Sequence, residues 1–133
     1  SKFVSIVRLS RMTKIVLWAD KFDETAEFYR LLLNAEFKHA SDGFVSIVGA
    51  QNEVLLHAVP AQWASDISVP PALRDESPMK PCFKVESIVG AREAVGGTNG
   101  LILGADSEQT HGIMTYCDGN DPEGNVIQVY TTA

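Results

Sequence analysis

Apolar and polar residues alternate or recur at helical spacing along most of this chain, and the pattern divides it into elements. Lys14 to Ala19 (KIVLWA) is a short apolar run that predicts a buried strand. Over 22–33 the apolar residues Phe22, Ala26, Tyr29 and Leu33 fall on one helical stripe, with Asp23 suited to the N-cap and Asn34 to the stop. Strands are predicted over 36–40, 44–49 and 53–59, with Asp42-Gly43 as a tight turn between the first two. Pro60, Pro70, Pro71 and Pro78 then make 60–79 a linker, with one short helical turn at 61–66. Beyond it come a strand at 80–86 and a helix at 87–95, capped by Ser87 and ended by Gly96-Gly97. Strands at 101–104, 112–118 and 125–131 follow. The order strand–helix–strand–strand–strand thus occurs twice, over 14–59 and 80–131. An internal repeat outweighs any single residue in choosing a fold. Each half makes an open sheet with a helix on one face, and the other face either is covered or becomes a cavity wall.

With 133 residues the chain has room for one good core and not for two ordinary domains. The expected division is a segment 1–12, either an appendage or an extra strand, and one domain over 13–133. That domain holds a module at 13–59, the linker, and a module at 80–131. Charge sets the first segment apart. Lys2, Arg8 and Arg11 make it basic, whereas 13–133 carries eight Lys and Arg against 17 Asp and Glu. The net charge of −6 and the lack of a basic tract argue against nucleic acid as a partner. An acidic body suits a cationic small molecule better. No apolar window approaches the length of a membrane span, and no secretory leader is read at the start, so a cytoplasmic protein is expected. Cys82 and Cys117 have neither zinc nor redox spacing and are expected to be free buried thiols.

The most specific string is Asp121-Pro122-Glu123-Gly124-Asn125, followed at once by the apolar strand Val126-Ile127-Gln128-Val129-Tyr130. Proline fixes one dihedral of such a turn and glycine supplies a positive φ. Together with Phe28-Tyr29 in the first helix and Gly96-Gly97 after the second, this string resembles the glyoxalase/bleomycin-resistance/dioxygenase superfamily, the vicinal-oxygen-chelate proteins. The likeness spans nearly the whole chain. It implies an α+β fold of two βαβββ modules whose mixed sheets curl around a cavity, in a chain that commonly pairs as a homodimer. Enzymes of the superfamily hold a divalent metal there, on His, Glu or Gln from the first and last strands of the modules.

Carried over by position, those ligand sites fall at Lys14 (or Thr13), His57, Lys80 and Gln128. Only His57 is a good ligand and Gln128 a weak one, where an enzyme of this kind needs about three donors with open positions. No metal or other cofactor is therefore expected; if a metal binds, His57 and Gln128 hold it, with Glu53, Glu76, Glu86, His111 or a partner chain completing the set. His39 and His111 are expected at the surface.

Side chains alternate across a strand. If Lys14 faces the cavity, so do Val16 and Trp18; if His57 does, so do Glu53 and Leu55. Cys82 and Lys84 share a face with Lys80, and Gln128 with Val126 and Tyr130. The expected ligand-binding wall is Val16, Trp18, Leu55, His57, Cys82, Gln128 and Tyr130, with Trp63 of the linker as a lid or dimer contact. Such a mixture of aromatic, aliphatic and a few polar groups lines small-molecule sites. The chain has no glycine-rich phosphate loop and no Gly-x-Ser-x-Gly turn. The expected function is non-catalytic binding or sequestration of a small organic molecule, similar to bleomycin-resistance proteins. A metal-dependent lyase, isomerase or dioxygenase with an atypical ligand set is the alternative, and an interaction module with a vestigial cavity the third reading.

Overall fold

The structure, a computed structural model, describes residues 13–66 and 72–133; the expectations for 1–12 lie outside these. In the first module β1 (Thr13–Ala19) leads into α1 (Phe22–Leu32), then β2 (Glu36–Ser41), β3 (Phe44–Val48) and β4 (Asn52–Ala58). These strands make one sheet in the order β1-β4-β3-β2, with β1 and β4 parallel and the rest antiparallel. A 3₁₀ turn at Ala61–Asp66 occupies the expected place in the linker. The second module runs β5 (Cys82–Lys84), α2 (Ile88–Ala94), β6 (Leu101–Ile102), β7 (Gln109–His111), β8 (Met114–Asn120) and β9 (Val126–Thr132). Its sheet has the order β5-β9-β8-β6, with β7 also paired to β8 and β5 parallel to β9. The order read from the sequence recurs in both modules, with β7 as an additional strand in the second, and the two sheets do not close into a barrel.

Alternation explains the core. Ile15, Leu17 and Ala19 of β1, Val45 and Ile47 of β3, and Val54 and Leu56 of β4 turn toward α1. Phe83, Cys117, Ile127 and Val129 do the same beneath α2. One apolar cluster serves both modules. Tyr29 of α1 sits edge-on to Phe28 with ring centres 5.1 Å apart, and tilted against Phe83 of β5 at 5.6 Å.

Several local expectations are corrected. Asp23 does not cap α1; the N-cap is Lys21, with no side-chain cap. The start of the helix is held instead by a distant carboxylate: Glu123 accepts from the backbone N–H of Asp20 at 2.7 Å and of Lys21 at 2.9 Å. A negative group at a helix N-terminus is also favoured by the helix dipole. Ser87 does cap α2, accepting from Gly90 N at 2.9 Å. The strand expected at 112–118 is displaced to 114–120. Gly112, at φ +61°, belongs to a turn joining β8 to β7, a strand that apolar patterning missed because Gln109, Thr110 and His111 are all exposed. Cys117 is buried as expected, but Cys82 is exposed.

The Asp121–Asn125 turn joins the modules. Asp121 is fully buried, and its Oδ2 accepts from the Tyr29 hydroxyl at 2.6 Å and from Asn125 Nδ2 at 2.9 Å. Its Oδ1 accepts from the N–H of Glu123 and of Asn125, both at 2.9 Å. Gly124 takes φ +82°, and a Cβ there would lie 2.3 Å from the Ala72 carbonyl, so only glycine fits between turn and linker. Arg74 ties the end of the linker to the same turn, donating from N to Gly124 O at 2.8 Å and from Nε to Glu123 O at 3.2 Å.

Candidate functional site

Both sheets leave one face free of helix, and the expected site residues lie there in two groups. On the first sheet the register pairs Val16 with Leu55 and Trp18 with His57. The antiparallel pairing adds Phe44 beside His57 and Ser46 beside Leu55. His57 is sandwiched: Trp18 stacks on it with ring centres 5.1 Å apart at 18°, and Phe44 tilts against it at 4.9 Å. Trp18 nevertheless remains 53% exposed, so this is an aromatic platform open to solvent. At its other end Glu53 is mostly covered. Its Oε1 accepts from Ser46 Oγ at 2.6 Å and its Oε2 faces Lys14 Nζ at 3.4 Å.

The second sheet carries a matching face. Cys82 pairs with Gln128 and Lys84 with Tyr130; β8 brings Asp118 beside Gln128 and Tyr116 beside Tyr130. Tyr116 and Tyr130 stack at 5.7 Å and 27°, a second aromatic pair. Asp118 organises the polar end. Its Oδ1 accepts from Gln128 Nε2 at 3.0 Å, and its Oδ2 pairs with Lys80 Nζ at 2.8 Å. The Cys82 thiol donates to Gln128 Oε1 at 3.4 Å. Burial raises the Cys82 pKa above the usual 9.0, and the Asp118 charge raises it further against the opposing pull of Lys80. The thiol is therefore protonated at neutral pH and is not a ready nucleophile.

The two faces meet at a gap of about 170 Å³ walled by Thr13, Ile15, Glu53, Cys82, Lys84 and Tyr130. Asn52 of β4 bridges it, donating from Nδ2 to the Lys84 carbonyl at 3.1 Å. The structure thus gathers Val16, Trp18, Leu55 and His57 on one side of the gap and Cys82, Gln128 and Tyr130 on the other. Trp63 lies apart on the exposed 3₁₀ turn. A larger groove, about 640 Å³, lies between the end of α1 and the start of α2. Of the charged groups on the helix-free faces only Lys84 reaches it, and the aromatic pairs are elsewhere. Chemistry converges on the open faces, not in this larger groove.

Asp118, Phe44, Ser46 and Tyr116 are site residues that reading the sequence missed. Asp118 was accessible by counting: it stands three residues before the Asp121 turn, as Gln128 stands three after Asn125, and a hairpin pairs such positions.

No protein-family model and no curated protein matches the sequence. Solved structures do match the fold. A glyoxalase/bleomycin resistance protein from Albidiferax ferrireducens superposes with a TM-score of 0.65 at 12% identity, covering 92% of this chain and 98% of that one. The fosfomycin resistance protein FosX from Listeria monocytogenes gives 0.63 at 12% identity, over 92% and 93%. TnmS3, an antibiotic binding protein from a Streptomyces species, gives 0.61 at 12% identity, over 92% and 95%. The class of this molecule is accordingly an α+β protein with the glyoxalase/bleomycin-resistance fold.

Whether this chain fits a metal can be tested on its donors. The helices give the alignment of the modules: Val16 stands six residues before α1 and Cys82 six before α2. Val16 pairs with Leu55, and Cys82 with Gln128. Leu55 is therefore the counterpart of Gln128, and His57 stands one pleat further on, at the counterpart of Tyr130. The four equivalent positions hold Lys14, Leu55, Lys80 and Gln128: two ammonium groups, an alkyl chain and an amide. Ammonium groups have no lone pair to give and repel a cation. Among the described residues no three His, Cys, Asp or Glu side chains group as a metal centre. These residues do not fit a divalent ion. No described helix is long and apolar enough to cross a membrane.

Proposed function

We propose that this protein binds a small organic molecule on its helix-free faces and performs no chemistry on it. The observation that carries this reading is the Trp18–His57–Phe44 stack. Aromatic rings braced against one another, yet open to water, are poorly used as core and well used as a contact surface. The Tyr116–Tyr130 pair repeats the device on the second sheet. The protonated Cys82 and the lack of a fitting metal set favour holding over reacting. The description of TnmS3 as an antibiotic binding protein agrees with this reading, and a role in sequestering a bioactive compound follows by analogy of fold. A homodimer is the natural way to cover faces this exposed, and a cytoplasmic location suits the exposed thiol.

The experiment is tryptophan fluorescence titration with aromatic probes, comparing the protein with Trp18→Phe and with Trp63→Phe. Quenching that disappears in Trp18→Phe and persists in Trp63→Phe is expected. Quenching carried by Trp63 alone would move the site to the linker and end this reading.

A further inference from the structure

The metal of the fold's enzymes is an anchor for ligand oxygens, and this chain lacks its donors. We infer that the ammonium groups of Lys14 and Lys80 take that place, so that the bound molecule is anchored by an acidic, oxygen-rich group. The inference rests on the binding role proposed above and specifies its ligand.

The arrangement of donors and acceptors carries the argument. Each module holds its first-strand lysine against a carboxylate: Lys14 with Glu53, and Lys80 with Asp118. Both oxygens of each carboxylate are engaged inside the protein, by Ser46 and Lys14 in one case and by Gln128 and Lys80 in the other. An ammonium has three N–H donors. Each lysine uses one on its carboxylate. Their side chains are 58% and 43% exposed, so the remaining donors face outward. Lys84, half-buried at the wall of the gap, forms no ion pair among the described residues. Around Lys14 and Lys80 the faces therefore offer unused donors, while the carboxylates beside them are engaged. Lys38 and Glu36 of β2 lie on the same face through their pairing with Ser46 and Val48, so four ammonium groups stand against three carboxylates there, although the protein as a whole is acidic. A ligand carboxylate or phosphonate gains charge-assisted bonds between Lys14 and Lys80, whereas a cation there meets ammonium groups and carboxylates that are already engaged. This reverses the expectation, drawn from overall charge, of a cationic ligand. Gln128, fixed between Asp118 and Cys82, and Ser46 hold the carboxylates in position for their lysines.

The test uses ring-matched probes of opposite charge: benzoate and phenylphosphonate against benzamidinium, with naphthol as the uncharged control, read by amide chemical shifts of the protein. The acids are expected to bind more tightly than benzamidinium and to shift residues around Glu53, Cys82 and Tyr130. Lys14→Met with Lys80→Met should weaken the acids about tenfold or more, the worth of one charge-assisted bond. Lys14→Arg with Lys80→Arg should keep most of the binding, which separates charge from fold, and Lys21→Met at the start of α1, away from these faces, should leave it unchanged. Preference for benzamidinium, acid binding indifferent to both lysines, or retention of nickel or zinc in equal stoichiometry overturns the inference. Naphthol binding without acid binding overturns it while leaving the proposed function standing. If no probe shifts these faces, both fall.

Discussion

The Tyr29 hydroxyl donates to Asp121 Oδ2 across 92 residues of sequence, at 2.6 Å and wholly out of water. It joins the first helix of one module to the turn before the last strand of the other. Removing the donor alone, Tyr29→Phe, should cost about 1–3 kcal/mol, because a buried carboxylate loses a partner. Urea denaturation at neutral pH checks this; an unchanged midpoint would show the bond to be idle.

The same pair sets a pH dependence. Burial, aided by the Asp121 charge, holds the Tyr29 phenol protonated well above its usual 10.0. Burial also raises Asp121 above 3.8, against the pull of its four donors. In both cases the folded state keeps a proton that the unfolded chain gives up. Stability is thus complete below the unfolded value and declines as pH rises through the folded one. For Asp121 the decline begins in the acid range, and for Tyr29 it begins near pH 10. Melting temperatures measured from neutral to alkaline pH should fall beyond that point, and Tyr29→Phe should flatten this limb. An equally steep limb in the variant would assign it to other groups.

Glu123→Ala should cost about 1–3 kcal/mol by leaving the N–H groups of Asp20 and Lys21 without their acceptor. Hydrogen exchange should quicken at the start of α1 and little at α2. Uniform quickening would mean that the carboxylate supports the fold in general and not this helix.

Gly100→Ala should be destabilising by about 1–3 kcal/mol, since the new Cβ would fall 2.4 Å from the Phe28 ring and 2.7 Å from the Asn120 carbonyl. Thermal melting against Gly97→Ala, where nothing lies within 4 Å, provides the control.

The two thiols should react differently. Cys117 is buried and donates to the Leu103 carbonyl at 3.3 Å, so its alkylation should wait for opening of the fold. Cys82 should label in the folded protein, slowly at neutral pH. Asp118→Asn should speed it, because the charge that raises its pKa is gone and Lys80 is released to lower it. Iodoacetamide kinetics followed by mass spectrometry decide; slower labelling in the variant would contradict the assigned cause.

The repeat was legible because its elements are long enough to show their period, and because the Asp121–Asn125 string is unusual. What escaped was what depends on distant residues. Asp23 has the right chemistry for a cap, but Glu123 reaches the helix start first. Strand β7 has only three exposed polar residues and exists through its pairing with β8. His57 seemed equivalent to Gln128 when positions were counted along the chain; only the parallel registers show that Leu55 holds that place. The alternation of faces was read correctly for Trp18, Glu53, Cys82 and Gln128, since period two leaves no freedom once a core residue is assigned.

The Glu123 and Asp121 contacts bear on synthesis. A ribosome releases β1 and α1 long before the residues that accept hydrogen bonds from the Tyr29 hydroxyl and the helix-start N–H groups exist. The emerging first module then carries a buried-to-be phenol and an unanswered helix end, with its share of the common core open. Its final form is reached only when the last strand arrives. The nascent half-chain is therefore the stage most exposed to aggregation and to chaperones.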